Sequence, residues 1–175
     1  MSSFHARFLE LYDAHYDRLF RYLDRLSGDA ELAADLAQDA FVRLYARGAS
    51  PDQPAAWLVT VAMNLLRNVR TTQTRRRRLL GVARAEGTLA DPAPAPNDAV
   101  EAVDVQRRVR AALAQLSERD RHLLLLRSEG YRYQEIAAAL ELNPASVGVL
   151  VARAKHAFRA AYEEPRDRGE PTDAR

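Results

Sequence analysis

The sequence predicts an all-α protein made of two small helical domains joined by a flexible Pro/Ala-rich linker. Apolar residues recur every three or four positions over most of the 175 residues, which is the spacing of one face of an α-helix. No stretch of consequence alternates apolar and polar residues as a half-buried strand would. The segment GVARAEGTLADPAPAPN at 81–97 interrupts the helical spacing with three alternating prolines, and it is the predicted linker.

Three helices are expected in the first domain, residues 4–80. The first helix covers about 4–26, and a Ser-Gly-Asp break follows it. Asp29 is placed to cap a second helix near 30–46, and Gly48 is a natural C-terminal stop. Pro51 and Pro54 open the third helix, and its expected buried face is Trp57, Leu58, Val61, Leu65 and Val69.

The second domain, residues 98–162, is expected to hold four helices. Asp98 with Glu101 forms a plausible capping pair, and Ser117 with Asp120 caps the next helix, which Gly130 ends. Two more helices are expected at 133–140 and 144–162, and 163–175 is a charged, Pro-containing tail expected to be disordered. The helix that begins near Asp98 is expected to bury an inner face made of Val105, Val109, Ala112, Leu113 and Leu116.

Composition excludes several classes of function. There is no cysteine, so disulfides, thiolate metal sites and thiol redox chemistry are excluded, which fits a reducing cytoplasm. No apolar run approaches the roughly 18 to 20 residues of a membrane span, and the N-terminus lacks a secretory signal. The four histidines show no ligand spacing, and no phosphate loop, nucleophile elbow or carboxylate pair stands out. We therefore expect a cytoplasmic, non-enzymatic protein without a cofactor.

Residues 133–158, YQEIAAALELNPASVGVLVARAKHAF, have the spacing of a helix-turn-helix. Apolar residues fall where two crossing helices bury side chains, and Ala137 falls where their backbones approach. Asn143 is placed to cap the second helix and Pro144 suits its first position. The turn position that often holds glycine has Glu141. A generic helical hairpin remains the alternative for this stretch. The residues expected to be buried are Ile136, Leu140, Leu142, Val147 and Leu150.

The second helix of this motif carries few groups that read DNA bases. At about 100° per residue, Val147, Leu150, Val151 and Ala154 share the inward face. Ser146 and Arg153 are suited to bases or phosphates, and Lys155 or Arg159 to phosphates. Gly148 allows only a close approach of the backbone, so weak direct readout is expected. The outer arc is Ala145, Ser146, Gly148, Val149, Ala152, Arg153 and His156.

Positive charge is concentrated in one place. All but one of the 26 cationic residues are arginine, and 67–84 holds seven of them without an acidic residue. A solvated helix end is the plain explanation of such a run. Arginines near Trp57 and the amides of Asn64, Asn68 and Gln73 also suit a phosphate track beside exposed bases, which favours nucleic acid as the partner.

The two predicted domains, in their order along the chain and joined by a linker, resemble the extracytoplasmic-function (ECF) type of bacterial RNA polymerase sigma factor. The resemblance covers roughly residues 4–162. DLAQDAFVRLY at 35–45 is similar to the polymerase-binding stretch of sigma region 2. AAWLVTVAMNLLRN at 55–68 with the arginine run resembles the part that melts the promoter and binds the minus-10 element. LSERDRHLLLLRSEGYRYQEIAAAL at 116–140 with the following helix resembles region 4, which binds the minus-35 element.

The resemblance implies a set of partners and site residues. The partners are core RNA polymerase, through its β′ clamp and β flap, promoter DNA, and an anti-sigma protein of the kind that often holds such factors inactive. The residues implied for core binding are Asp35, Gln38, Asp39 and Phe41. Those implied for minus-10 binding and melting are Trp57, Asn64, Arg67, Asn68, Arg70, Arg75, Arg76, Arg77 and Arg78. Those implied for minus-35 binding are Asn143, Ser146, Gly148, Arg153, Lys155 and Arg159.

The sequence departs from the family pattern at four positions. Ala34 stands where an acidic residue is frequent, and Asn68 where aspartate is common. Gly148 and Leu150 stand where basic side chains usually approach minus-35 DNA, so readout of DNA shape is a hypothesis for this site. The alternatives are a stand-alone helix-turn-helix regulator that binds an operator as a dimer, and a helical adaptor whose basic run only keeps it soluble.

Overall fold

The computed structural model describes residues 3–79 and 98–163. These residues form seven α-helices and no strand, so the predicted all-α class is confirmed. The predicted linker at 81–97, Arg84 and the tail from 164 lie outside the described residues. The helices are α1 (Ser3–Ser27), α2 (Ala30–Arg47), α3 (Pro54–Leu79), α4 (Asp98–Gln115), α5 (Glu118–Ser128), α6 (Tyr133–Ala139) and α7 (Pro144–Glu163).

Helices α1, α2 and α3 pack as the first half of the chain. The Asp29 carboxylate accepts a hydrogen bond from the Leu32 amide at 3.0 Å and caps α2. Gly48 ends the same helix with φ 70°, a left-handed conformation that glycine adopts without steric cost. The buried core of this half includes Leu19, Leu23, Phe41, Leu44, Leu58 and Val59.

Helix α3 continues through the arginine run instead of ending before it. Thr71 and Thr74 each donate a side-chain hydrogen bond to the carbonyl four residues earlier, at 2.9 Å. This pairing keeps both hydroxyls on the helix surface. The arginines at 75–78 therefore stand on a helix whose first turns are anchored in the core.

The second half follows the predicted caps with two corrections. Ser117 accepts a hydrogen bond from the Asp120 amide at 3.1 Å and caps α5. Val105 was expected on the inner face of α4 but is 48% exposed, because it lies on the rim of a groove between α4, α5 and α7. Glu163 was assigned to the tail but forms the last residue of α7, where nothing breaks the helix. The side chains of Asp98 and Glu101 lie outside the description.

The two halves pack against each other. One continuous set of buried residues runs from Leu23 in α1 and Val59 in α3 to Leu126 in α5 and Ile136 in α6. The Tyr22 hydroxyl lies 2.6 Å from Nδ1 of His122, and both residues are buried. Burial raises the pKa of Tyr22 well above its usual value, so the hydroxyl keeps its proton and shares a hydrogen bond with the imidazole.

Acid is expected to destabilise this packing. Burial lowers the pKa of His122 below 6.5. The nearby Glu118 opposes this shift, and the charges of Arg121 and Arg70 reinforce it. The unfolded chain therefore binds more protons near pH 6, and stability falls as the pH drops through the lowered pKa of the folded state. The melting temperature measured at pH 7.5 and 5.5 should drop less for His122→Asn than for the wild-type protein. The exposed His156→Asn should behave like wild type, and an unchanged drop in His122→Asn would contradict the assignment.

Helices α6 and α7 form the predicted helix-turn-helix. They meet at 94°, within the range usual for this motif. Ile136, Ala137 and Val147 are buried as expected, and Leu140, Leu142 and Leu150 are partly buried. The turn holds Glu141 at φ 54°, where a side chain is strained and glycine is not. The Leu142 amide closes the turn on the Ala137 carbonyl at 2.8 Å.

Glu141→Gly is expected to stabilise the protein by about 1 kcal/mol, because glycine removes the cost of the left-handed conformation. Urea denaturation should move to a higher midpoint. Glu141→Ala removes the same charge without relieving the backbone, so its midpoint should not rise. Equal gains in both variants would assign the effect to charge and not to strain.

Candidate nucleic-acid interface

The outer face of α2 presents the polar residues expected to bind polymerase. Asp35, Gln38 and Asp39 are exposed, whereas Phe41 is buried and packs in the core of the first half. Phe41 therefore positions the helix and does not reach its surface. Val42 is 59% exposed and lies at helical spacing from Asp35 and Asp39. The sequence analysis missed Val42, although its spacing of seven from Asp35 places it on the same face.

Exposed aromatic side chains border this face. The rings of Phe8 and Tyr45 pack edge to face with their centroids 5.1 Å apart, and the rings of Tyr12 and Phe41 do so with their centroids 4.9 Å apart. Tyr45 and Tyr12 remain 51% and 36% exposed. A polar row beside exposed aromatic and aliphatic surface is the usual composition of a protein-binding patch. The surface suits a protein partner.

Helix α3 places the predicted minus-10 residues mainly on one face. At about 100° per residue, Trp57, Asn64, Arg67, Asn68 and Arg75 fall within one arc of the helix. Arg67 donates to the Asn64 side chain at 3.4 Å. All are exposed except Trp57, which is half-buried with the Arg47 guanidinium 5.9 Å from its ring centroid.

Two other arginines of α3 lie off this arc. Arg70 is exposed on the side towards α1 and donates to the Leu26 carbonyl at 3.2 Å. Arg76 lies on the opposite edge and is also exposed. The side chains of Arg77 and Arg78 are outside the description, although both residues belong to the helix. The sequence contains no acidic residue from 54 to 79, and all the charged side chains of this helix are arginines from position 67 onward.

The exposed arc of α7 has two polar edges with an apolar centre. Ser146 and Arg153 lie on one edge, and Gly148, Lys155 and Arg159 lie on the other. Val149 stands between them and is 64% exposed. Lys155 also lines the groove that α7 forms with α4 and α5. The predicted minus-35 residues are thus divided between two sides of the helix.

The start of α7 uses its polar groups for capping. The Asn143 side chain accepts from the Ala145 amide at 3.0 Å. The Ser146 hydroxyl donates to the Asn143 carbonyl at 3.1 Å. To bind DNA, the Asn143 side chain and the Ser146 hydroxyl must either break these hydrogen bonds or form a second hydrogen bond beside them. Asn143 therefore has a structural task as well as the site role expected of it.

Tyr133 is a surface residue of this region that was not among the predicted site residues. Its ring is 44% exposed, and the Arg127 guanidinium lies 5.3 Å from its centroid. A Cβ atom at Gly148 would lie 3.4 Å from the Tyr133 ring. That distance is an ordinary van der Waals contact, so the Tyr133 ring lies close to α7 at this position.

Within the described residues, no group of three or more His, Asp or Glu side chains is arranged to hold a metal ion. Within the same residues, no single helix is long and apolar enough to cross a membrane. The pair α6 and α7 reaches that length and composition jointly, but bends by 94° at the turn.

Comparisons with known proteins identify the family. Residues 11–84 match the family model of sigma-70 region 2, and residues 106–157 match that of sigma-70 region 4. The ECF RNA polymerase sigma factor SigL of Mycobacterium tuberculosis is 32% identical over 160 residues, covering 88% of each chain. SigX of Bacillus subtilis, another ECF sigma factor, is 27% identical over 143 residues, covering 78% of this chain and 74% of SigX.

Two further matches differ in extent. The probable RNA polymerase sigma factor RfaY of Xanthomonas campestris is 34% identical over 140 residues, or 77% of this chain, which spans 35% of RfaY. Among solved structures, the sigma factor RpoE of Bartonella quintana, in complex with the anti-sigma factor NepR, has a TM-score of 0.65 and 22% identity. That likeness covers 95% of this chain and all of the RpoE chain, and it supports the fold alone.

The predicted resemblance is therefore confirmed. The two family matches occur in the predicted order, and the likeness to SigL extends over nearly the whole of both chains. The chain belongs to the ECF RNA polymerase sigma factors, the promoter-directing subunits of bacterial RNA polymerase.

Proposed function

We propose that the chain binds core RNA polymerase through the outer face of α2, opens the minus-10 element along α3, and holds the minus-35 element with α7. The observation that carries this proposal is the single arc of α3 that presents an aromatic ring, two amides and arginines. These roles divide the chain into a region 2 domain at 4–80, a linker at 81–97 and a region 4 domain at 98–162. The two family matches lie on either side of the predicted linker's centre, which supports that division.

The α3 arc has the chemistry of a single-strand binding surface. Aromatic rings stack on unpaired bases, and amide groups bond to base edges. Arginines along the same helix neutralise phosphates, so that the separated strand follows the helix. Trp57 lies toward the start of this arc and Arg75 toward its end, about 27 Å apart at 1.5 Å per residue. An arc of that length accommodates several nucleotides.

The minus-35 contact is proposed to be weak on its own. Ser146 and Arg153 supply polar contacts on one edge of α7, and Val149 suits the methyl group of a thymine in the major groove. Gly148 and Leu150 supply no charge. A second contact tethered to the same molecule raises the effective concentration of this one. The polymerase and the α3 contact therefore supply most of the anchoring.

The remaining partners are proposed from the family. The β′ clamp is assigned to the α2 face, and the β flap to the second half. An anti-sigma protein is proposed as a regulator. The related fold of RpoE, which is solved with NepR, supports this kind of partner. A cytoplasmic location follows from a task on polymerase and DNA.

The proposal is tested by mixing the protein with sigma-free core polymerase. A 1:1 complex that starts transcripts at discrete sites on genomic DNA fragments is expected, and core enzyme alone is the control. The start sites also give the promoter sequences. If no complex forms and the protein binds DNA by itself, the function is that of an operator-binding regulator instead.

A further inference from the structure

A cleft of about 320 Å³ lies between α3 and α5, beside the arginine run. Its α3 wall carries Arg67, Arg70 and Arg75, and its α5 wall carries Glu118 and His122. The three arginines span about 12 Å along the helix axis, so they can contact several oxygens of one anion. The cleft is therefore a formed site with a positively charged wall and an acidic group across from it.

Contacts with α1 fix the position of the α5 wall. Arg21 of α1 donates to the Glu129 carboxylate, just after α5, at 2.8 Å. The Tyr22 hydroxyl lies 2.6 Å from Nδ1 of His122, whose side chain is only 8% exposed. The other ring nitrogen, Nε2, lies 3.6 Å from Oε1 of Glu118. The imidazole therefore turns one nitrogen to the core, and its other nitrogen lies on the side of Glu118 and the cleft.

The positive charge on the α3 wall is not neutralised by the protein. In the described part of the chain, none of the three arginines forms an ion pair with a carboxylate. Arg67 donates to Asn64 at 3.4 Å, and Arg70 donates to the Leu26 carbonyl at 3.2 Å. Arg75 has no hydrogen-bond partner among the described residues. Each guanidinium has five N–H donors in a planar fork that matches a phosphate, so most of these donors are available to an anion.

The remaining lining suits a nucleoside. Leu66, which is buried, and Met63, which is partly buried, supply apolar surface for a base or a sugar ring. The Glu118 carboxylate is an acceptor for hydroxyl and amino groups, whereas it repels a bare polyphosphate. The volume is at the small end of the range usual for ligand sites. It suits one mononucleotide, while a DNA strand on such a protein covers several nucleotides.

We propose that this cleft binds a nucleoside diphosphate or triphosphate, with its phosphates on Arg67, Arg70 and Arg75 and its nucleoside between Leu66 and Glu118. The bound nucleotide occupies arginines that are assigned above to the minus-10 element, so it competes with promoter DNA. That competition rests on the minus-10 role proposed above, whereas binding of the nucleotide does not. Promoter use by this sigma factor then falls when the nucleotide is abundant.

The binding test titrates the free protein with ADP, GDP and pyrophosphate in a calorimeter. At least one of the two nucleotides should bind once per chain, about tenfold or more tightly than pyrophosphate, because only a nucleotide also contacts Leu66 and Glu118. Glu118→Gln should weaken nucleotide binding but not pyrophosphate binding, since it removes a negative charge. The Glu118 side chain is 73% exposed, so this variant should melt as wild type does. If pyrophosphate binds as tightly as both nucleotides, or neither nucleotide binds, the proposal is wrong.

Two neighbouring arginines of α3 provide a matched pair of variants. Arg75 lines the cleft, whereas Arg76 is exposed outside it. Arg75→Gln should weaken nucleotide binding about tenfold or more, because a hydrogen-bonded ion pair with a phosphate is lost. Arg76→Gln removes the same charge from the same helix and should change nucleotide affinity little. Equal losses in the two variants would assign the binding to the general charge of α3 and overturn the cleft as the site.

The competition test measures promoter binding by the holoenzyme with the nucleoside diphosphate, which polymerase does not incorporate into RNA. At ten times its dissociation constant, the nucleotide should lower apparent promoter affinity about tenfold. The Glu118→Gln holoenzyme contains the same core enzyme, so it controls for nucleotide bound elsewhere, and its promoter binding should resist the nucleotide. A wild-type promoter affinity that does not change with nucleotide would overturn the competition. If the wild-type holoenzyme binds no promoter even without nucleotide, the proposed function fails instead, and the titration still decides the cleft.

Discussion

Replacing Arg75, Arg76, Arg77 and Arg78 with alanine is expected to lower promoter opening by about two to three powers of ten at moderate salt. Each arginine on a phosphate adds about 0.7 to 0.9 to the slope of log affinity against log salt. Loss of all four should therefore flatten that slope by about 3. These residues follow the anchored part of α3, so the core of the first half is not disturbed. Opening is measured with a fluorescent base in the minus-10 element of a holoenzyme complex.

The matched control for this variant replaces the same four arginines with lysine. Lysine keeps the charge but loses the planar fork that holds a phosphate by two hydrogen bonds. The salt slope should stay near the wild-type value, and opening should fall only in part. Unchanged opening and an unchanged slope in the alanine variant would remove these arginines from the mechanism.

Gln38→Ala combined with Asp39→Ala is expected to weaken binding to core polymerase about ten- to a hundredfold, since central interface residues commonly contribute 1–2 kcal/mol each. Both side chains are exposed on α2 and away from its buried face, so folding should be retained. Binding is measured by titrating labelled core enzyme, and circular dichroism reports the fold.

A control with the same residue types is available in the loop before α3. Asp52→Ala with Gln53→Ala removes one aspartate and one glutamine that are exposed and lie outside the α2 face. This variant should bind core polymerase as wild type does. Normal binding by a folded Gln38 and Asp39 variant would move the contact elsewhere, and the exposed Val42 and Tyr45 would be the next residues to replace.

Local features of the sequence predicted the elements well. The caps at Asp29 and Ser117 and the stop at Gly48 were all found where expected. Each of these signals acts over one turn of helix, so it is readable without knowledge of the fold. The same is true of the helix-turn-helix, whose buried positions Ile136 and Val147 follow from the helical period. The candidate DNA residues of α3 also follow from that period.

Partners that are distant in the sequence were not predictable. Periodicity marked an apolar side on α4 that included Val105, but which part of it is covered depends on α5 and α7. The ring of Tyr133 lies against Gly148 because α6 crosses α7 at a steep angle. A pattern within one helix specifies which side is apolar, and it does not specify what packs there.

By itself, the sequence determined the helical class and the order of the two sigma regions, and it predicted the residues that each region offers to DNA. The tertiary structure decided that the two halves close on each other. Arg21 and Glu129 are 108 residues apart and lie on opposite sides of the predicted linker. The pairing of two such charges depends on how whole helices dock, because helical period and capping carry information over only a few residues.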